Sequence, residues 1–381
     1  MIEPRIPFSR PYRSASELTN LTAVLHSDHT HGDGPFTASA TAKLTAITGA
    51  AHVLVTTSCT HALEMAGLLL ELGPTDEVIL PSFTFPSAAT SVALRGATCV
   101  FVDIDPTTGN IDPAEVAAAI TPRTKAIYVM HYGGVAADMD ALLAMSAEHG
   151  LSLVEDNAHG LGARWRDRQL GTLGTLGTLS FHDTKNIHCG EGGALLISDA
   201  VLLERAEMIR EKGTDRARFL RGQVDKYVWQ EIGSSYLPSE LNAAVLDSQL
   251  DEFDTIQAAR QRVWDGYARA LPEWASANRV QLMSTPVERE HTAHLFYLLA
   301  PTPQDRDDLI EHLRARGISA PFHYVPLDSS PAGLKFGRVH SPCTRTADFS
   351  ARLIRLPLWA GITDSQIDRV VLGVTSFRAR G

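Results

Sequence analysis

The segment Ser180-Phe181-His182-Asp183-Thr184-Lys185-Asn186, running on into Gly190-Glu191-Gly192-Gly193, sets a lysine in a short polar loop. The apolar runs on either side, 176–181 and 194–197, read as strands that end and restart around that loop. A lysine so placed lies in a pocket rather than on a helix face.

Upstream, Asp156 follows the apolar run Leu151-Ser152-Leu153-Val154, 29 residues before Lys185. With strand 151–155 beside strand 177–182 in a parallel sheet, Asp156 and Lys185 emerge together at the carboxyl edge, where open α/β sheets bind ligands. An amine able to lose its proton attacks carbonyls, and its most frequent enzymatic use is a Schiff base with a substrate or with pyridoxal phosphate. A carboxylate nearby is what that cofactor needs to keep its pyridine nitrogen protonated. Taken alone, a strand-end aspartate followed by a loop lysine is more often a solvated or capping pair, so the remainder of the chain has to carry the distinction.

The frame is that of an ordinary globular protein: 381 residues, 44% apolar and 20% charged, enough for two domains. A formal charge of −10 argues against nucleic-acid or anionic-membrane surfaces and points to small molecules and other copies as partners. Cys59, Cys99, Cys189 and Cys343 are far apart and form no CxxC pair, and Met1-Ile2-Glu3-Pro4 does not open a signal peptide, so a reduced cytoplasmic protein is expected. No apolar run reaches the length of a membrane span. Cys59 and Cys189 read as small space-filling hydrophobes rather than catalytic thiols.

Along the chain, residues 1–36 read as irregular, with His26, His29 and His31 around Asp28. These imidazoles lack the two-histidine helix spacing of a specific metal site and suit a loop near the pocket mouth. A helix from Thr37 leads to strand 52–57, then Ser58-Cys59-Thr60 and the apolar helix 61–72. Hydroxyls and the first free amides of a helix converge there, a phosphate site that is also compatible with a simple N-cap. Strand 77–80, Pro81-Ser82-Phe83-Thr84-Phe85-Pro86, strand 98–103, helix 112–119, strand 125–130 and helix 138–148 follow. This alternation predicts an α/β fold with a mainly parallel sheet covered on both faces. Phe83 or Phe85 could stack on a planar ring. Gly171, Gly174 and Gly177 do not have dinucleotide-loop spacing and read as turn geometry.

Beyond Ala194, helix 200–212, a polar segment 214–226 and a long helical stretch 238–270 carry the chain out of a large domain, 1–245. The remainder, 246–381, reads as a smaller α+β domain. It holds strands near 279–283, 294–300 and 318–322, helix 304–316, His323-Tyr324-Val325-Pro326, and helices near 345–353 and 363–376.

Ser58-Cys59-Thr60, Pro81-Ser82-Phe83-Thr84-Phe85, Glu155-Asp156-Asn157-Ala158-His159, Ser180 to Asn186 and Gly190 to Gly193, in this order and spacing, resemble the sugar-nucleotide aminotransferases of the DegT/DnrJ/EryC1/StrS family. The resemblance covers nearly the whole chain. It implies a fold-type I enzyme using pyridoxal 5'-phosphate, a homodimer with sites at the subunit interface, which exchanges the keto group of a nucleotide-linked sugar for an amine from glutamate. By position, Lys185 resembles the family's Schiff-base lysine and Asp156 its pyridinium partner, with His159 near the ring hydroxyl. Thr60 and Ser180 match the phosphate-holding hydroxyls, the Cys59 and Thr60 amides assist, and Phe85 matches the aromatic that covers the ring.

Where many members have Gly-x-Asn-Tyr-Arg, this chain has Gly233-Ser234-Ser235-Tyr236-Leu237, leaving Ser235 for the contact with the neighbour's phosphate. Arg210, Lys212, Arg216, Arg218 and Arg221 are candidates for a diphosphate, although such a run is as readily a solvated face, and His323 with Tyr324 for the hexose or its base. Segments 210–214, 221–227 and 232–237 look most like the enzymes that make dTDP-4-amino-4,6-dideoxygalactose from dTDP-4-keto-6-deoxyglucose. Amination at C3, a sugar dehydratase in which histidine replaces the lysine, and a non-catalytic regulator are the alternatives. An intact Lys185 opposes the dehydratase, and an intact Lys185, Asp156 and phosphate shell the regulator.

Overall fold

The computed structural model describes residues 4–380. Val78-Ile79-Leu80 shows how the large sheet forms: all three side chains are fully buried, Val78 and Leu80 on one face and Ile79 on the other. A strand apolar on both faces belongs in the middle of a parallel sheet covered on both sides. Eight strands assemble in the spatial order His52–Thr56, Gly193–Ile197, Leu176–Ser180, Ser152–Asp156, Thr124–Met130, Glu77–Pro81, Thr98–Val102 and Gly337–Val339. Helices Cys59–Leu69 and Pro86–Ala93 cover one face, and Pro113–Ala119 and Met139–His149 the other.

Pairing within this sheet is parallel except for Gly193–Ile197, which runs antiparallel between His52–Thr56 and Leu176–Ser180. The loop 181–192 contains no helix to carry a crossover, and the strand after it folds straight back. Asp156 pairs with Thr178, and Gly193 with both Ser180 and Thr56, which brings four strand ends to one edge. The adjacency expected for strands 151–155 and 177–182 is observed.

Glu155, the neighbour of Asp156, accounts for the glycine-rich 171–177 turn. Its buried carboxylate accepts the amides of Gly171, Leu173 and Gly174 at 2.8, 2.7 and 2.7 Å, and His131 Nε2 lies 3.0 Å away. A Cβ on Gly177 would sit 2.1 Å from the Gly171 carbonyl oxygen, so the strand can pass the turn only without a side chain there.

A second core forms around Tyr267, Phe296, Leu313, Ile354 and Val370. Its sheet, Gln281–Leu282, Tyr297–Leu299 and Leu353–Arg355, is antiparallel and packs with helices Phe253–Ala270, Pro303–Ala315 and Asp364–Thr375. Phe83, Tyr132, Tyr297 and Phe349 belong to a third cluster that joins the two bodies.

Several elements differ from expectation. The 238–270 stretch is two helices, Glu240–Asp251 and Phe253–Ala270, broken at Glu252. Leu246, Leu250 and Ile256 pack in the first body, Val263 and Tyr267 in the second. Strand Gly337–Val339 then returns to the edge of the large sheet, held by Arg338 Nε and Nη2 on buried Glu77 at 2.9 and 2.8 Å. Residues 318–322 form no strand; only an isolated bridge joins Ile318 to Ile6, and the third strand of the small sheet is Leu353–Arg355. Within 1–36, Glu17–Leu25 is helical and packs against Glu240–Asp251. No helix among the described residues is long and apolar enough to cross a membrane.

Candidate active site

The carboxyl edge of the large sheet and the end of strand Leu353–Arg355 enclose a cavity of about 680 Å³. Cys59, Thr60, Phe85, Asp156, His159, Ser180, Lys185, His323 and Tyr324, all expected at the site, line it together. The main-chain amide of Lys185 donates to the His182 carbonyl at 2.9 Å, which shapes the loop. Its Nζ has no hydrogen-bond or ion-pair partner among the described residues. Burial pushes that amine from 10.5 down to about 8.

Asp156 is also buried. Its Oδ1 accepts the Ala158 amide at 3.2 Å, with the Cys59 sulfur 3.9 Å away, while Oδ2 has no partner among the described residues. Burial raises its pKa, the attraction of Lys185 notwithstanding. The Cys59 thiol is pushed well above its usual range by burial and then by Asp156, which makes it a poor nucleophile.

His159 Nδ1 accepts the Gly133 amide at 3.2 Å, so the hydrogen-bond network assigns the proton to Nε2, which lies 3.3 Å from the Tyr324 hydroxyl. His294 stacks on His159 with centroids 4.1 Å apart. His294 Nδ1 lies 2.9 Å from Asn186 Oδ1, and Asn186 Nδ2 donates to the Thr292 carbonyl at 2.8 Å. The residue after Lys185 is thereby anchored. Burial, then the Lys185 charge, holds both histidines well below the ordinary imidazole range.

At the turn after strand His52–Thr56, Ser58 Oγ caps helix Cys59–Leu69 by accepting the His61 amide at 3.1 Å. The amides of Cys59 and Thr60 have no partner among the described residues, and Thr60 Oγ1 pairs with Ser87 Oγ at 2.7 Å. A Cβ on Gly193 would lie 2.3 Å from the Cys59 nitrogen, so only glycine lets the antiparallel strand pass beneath this turn. Both the cap and the anion site read from sequence are therefore compatible here.

Phe83 and Phe85 separate. Phe83 is fully buried against Tyr132, Tyr324 and Phe349, whereas Phe85 is 54% exposed and faces the cavity. His323 Nδ1 lies 2.8 Å from the Tyr132 hydroxyl and its ring stacks on Tyr324 at 3.8 Å.

The expected cationic wall is not at this cavity. Arg210 forms a two-pronged contact with Asp33 at 2.7 and 2.9 Å and donates to the Val55 carbonyl. Lys212 pairs with Glu211, Arg218 with Glu204 and Arg221 with Glu207. These four cations found carboxylates in their own chain, which spacing along the sequence does not reveal; Arg216 pairs with none among the described residues and does not line the cavity. Ser235 is exposed and does not line the cavity. Phe8 and Ser9, not His26, His29 or His31, reach its rim, and no histidine, cysteine or carboxylate cluster suited to a metal occurs among the described residues.

Among the lining residues that escaped the sequence reading are Ser87, Arg260, His294 and Arg355. Ser87 lies two positions past Phe85, in the first turn of helix Pro86–Ala93, a signal that was available. The other three come from the second body, and only folding brings them here.

An unpartnered amine, a carboxylate with one oxygen free, and free amides beside hydroxyls fit the aldehyde, ring nitrogen and phosphate of pyridoxal phosphate. Comparisons with known proteins agree. Residues 11–375 match the DegT/DnrJ/EryC1/StrS aminotransferase family. The spore coat polysaccharide biosynthesis protein SpsC of Bacillus subtilis (strain 168) is 32% identical, over 97% of this chain and 96% of that protein. Aminotransferase TlmJ from Streptoalloteichus hindustanus superposes with a TM-score of 0.90 at 28% identity, covering 98% of both chains. DesV of S. venezuelae, solved with a ketimine intermediate, gives 0.88 at 32% identity, again over 98% of both. The chain belongs to the DegT/DnrJ/EryC1/StrS family and is a fold-type I, pyridoxal-phosphate-dependent aminotransferase.

Proposed function

We propose that this enzyme moves the amino group of glutamate to the C4 ketone of a nucleotide-linked 4-keto-6-deoxyhexose, converting dTDP-4-keto-6-deoxyglucose into dTDP-4-amino-4,6-dideoxygalactose. The observation that carries the chemistry is the buried pair Lys185 and Asp156, both in one cavity and neither with a countercharge in contact. Bound there, pyridoxal phosphate supplies the electron sink through which an amine and a ketone exchange nitrogen.

The side chains do the rest. Lys185 holds the cofactor and, once released, carries the proton at the exchanging carbon; a pKa of about 8 suits that work near neutral pH. Asp156 would keep the cofactor's ring nitrogen protonated, and His159 would face its ring hydroxyl. Thr60, Ser180 and the Cys59 and Thr60 amides hold the phosphate at the positive end of a helix. Phe85 would cover the cofactor ring, and His323 and Tyr324 would form the wall that meets the hexose.

Support for a sugar comes from SpsC, a polysaccharide biosynthesis protein by name. Support for the C4 choice is the likeness of segments 210–214, 221–227 and 232–237 to the enzymes that make the 4-amino-4,6-dideoxygalactose product. In this reading the enzyme acts in the cytoplasm as a homodimer. The 219–232 segment exposes Leu220, Tyr227, Trp229 and Ile232, with Trp229 77% exposed, more apolar surface than one loop ordinarily leaves in water. Ser235, exposed beside it, serves the partner's phosphate.

The deciding experiment incubates the enzyme with glutamate and either dTDP-4-keto-6-deoxyglucose or its 3-keto isomer, and assigns the product by NMR. An axial amine at C4 is expected. An amine at C3, or an equatorial amine at C4, overturns the substrate while leaving the aminotransferase intact. Activity regained by mixing Lys185→Ala chains with chains altered in 219–235 tests the shared site; verified heterodimers without activity count against it.

A further inference from the structure

The turn that carries His294 is held against its own backbone preference. Ala293, fully buried, has φ +48°, in the left-handed region that an alanine rarely occupies. Its amide donates to His291 Nδ1 at 2.9 Å. Arg260, buried on helix Phe253–Ala270, donates from Nε to the Ala293 carbonyl at 3.2 Å and from Nη2 to the His294 carbonyl at 2.6 Å. No carboxylate pairs with Arg260 among the described residues, and burial pushes its guanidinium from 12.5 down to about 9. A strained alanine pinned by an unpaired buried cation marks a place where function, rather than stability, fixes the geometry.

What the turn places is the ring of His294, whose Nδ1 lies 2.9 Å from Asn186 Oδ1. Asn186 Nδ2 donates to Gln257 Oε1 at 2.9 Å and to the Thr292 carbonyl at 2.8 Å. Asn186 Oδ1 can therefore only accept, so the His294 proton sits on Nδ1 and Nε2 keeps a lone pair. One face of the ring lies on His159, with centroids 4.1 Å and planes 24° apart, and Thr292 Oγ1 donates to the His159 carbonyl at 2.9 Å. Residues 292–294 thus grip His159 by its main chain and its ring, and Lys185 through the residue next to it.

We propose that His294 is a positioning residue, which holds the lysine loop through Asn186 and the plane of His159 through the stack, and so keeps amine and imidazole in one relation across the cavity. The inference rests on the reading of His159 as the partner of the cofactor's ring hydroxyl. Two variants separate the two contacts. The amide of His294→Asn can stand where Nδ1–H stands but brings no ring; His294→Phe keeps a ring and has no donor.

The first measurement is the side-chain nitrogen NMR spectrum of the histidines in the full-length chain, with and without cofactor. A neutral His294 protonated on Nδ1 is expected at pH 7, identified by the signal that His294→Phe removes, and Asn186→Ala should abolish that preference. A charged His294, or one protonated on Nε2, overturns the proposal.

The second is the pH at which the holoenzyme's visible absorption changes half-way. Weakening a hydrogen bond to the ring hydroxyl leaves negative charge there less stabilised and raises the proton affinity of the nitrogen beside it. His294→Asn should raise the midpoint by about one unit, and His294→Phe should leave it in place. The double variant His159→Ala with His294→Asn should shift no further than His159→Ala alone, and additive shifts overturn the route through His159.

The third is the rate at which added cofactor forms its borohydride-trapped link, expected to fall about tenfold in His294→Phe and to hold in His294→Asn. Identical behaviour of the two variants in both assays, in proportion to lost thermal stability, assigns His294 to packing and overturns the proposal. Should His294→Asn not fold, the wild-type tautomer and His294→Phe still decide. An unmoved midpoint in His159→Ala sinks the reading of His159 and this inference with it. A shift there with none in His294→Asn sinks the inference alone.

Discussion

Lys185 and Asp156 line the same cavity and form no ion pair with each other. Two opposite buried charges left unjoined cost stability unless something arrives between them. A cofactor with an electrophile at one end and a basic nitrogen at the other would satisfy both groups at once.

That cost can be measured at Lys185. Its amine is held near 8 in the folded chain against 10.5 unfolded, so the unfolded state binds more protons between those values and stability rises with pH across the window. Below pH 8 the whole penalty applies, about 3 kcal/mol at most. Cofactor-free Lys185→Met should therefore be more stable than cofactor-free wild type at pH 7, with the gap closing from pH 8 towards 10.5. Urea melts at several pH values check this; a gap that widens with pH refutes it. In the presence of cofactor, borohydride should trap a covalent link in wild type and none in the variant.

Asp156→Asn should fold and bind the cofactor but lose turnover by roughly 10²- to 10⁴-fold, the range for a misplaced proton. The amide cannot carry the negative charge that holds a proton on the ring nitrogen. Single-turnover kinetics on a variant that keeps its bound cofactor is the readout, and near wild-type turnover rejects the role.

Gly193→Ala tests the phosphate turn without touching any group that contacts a ligand. The added methyl would lie 2.3 Å from the Cys59 nitrogen, so helix Cys59–Leu69 must shift. Overpacking of this kind costs about 1–3 kcal/mol, and cofactor affinity, titrated by absorbance, should fall roughly tenfold or more.

Glu77→Gln should loosen strand Gly337–Val339. The Arg338 hydrogen bonds, then Thr121, hold the Glu77 carboxyl below its usual 4.5. The stabilisation it gives is present above that unfolded value and lost as pH falls through the lower folded one. Loss of the buried carboxylate should cost about 2–4 kcal/mol at pH 7. The difference from wild type should shrink in acid; denaturant melts at pH 7 and pH 3 compare the two.

Much of this architecture was legible in the residues themselves. The alternation of strands and helices announced a mainly parallel sheet covered on both faces, whereas the antiparallel return of Gly193–Ile197 came from the structure. Asp156 and Lys185, each at a strand end, had to meet at one edge once their strands were neighbours. These are local properties, set by side-chain periodicity and loop length. What folding alone decided is long-range. Arg355 and His294 enter the cavity because the second body packs against the first through Phe83, Tyr132, Tyr297 and Phe349. Arg210 leaves the site because Asp33, far away in sequence, neutralises it. A charge's role depends on which opposite charge it finds, and that is a property of the packed molecule, not of the chain.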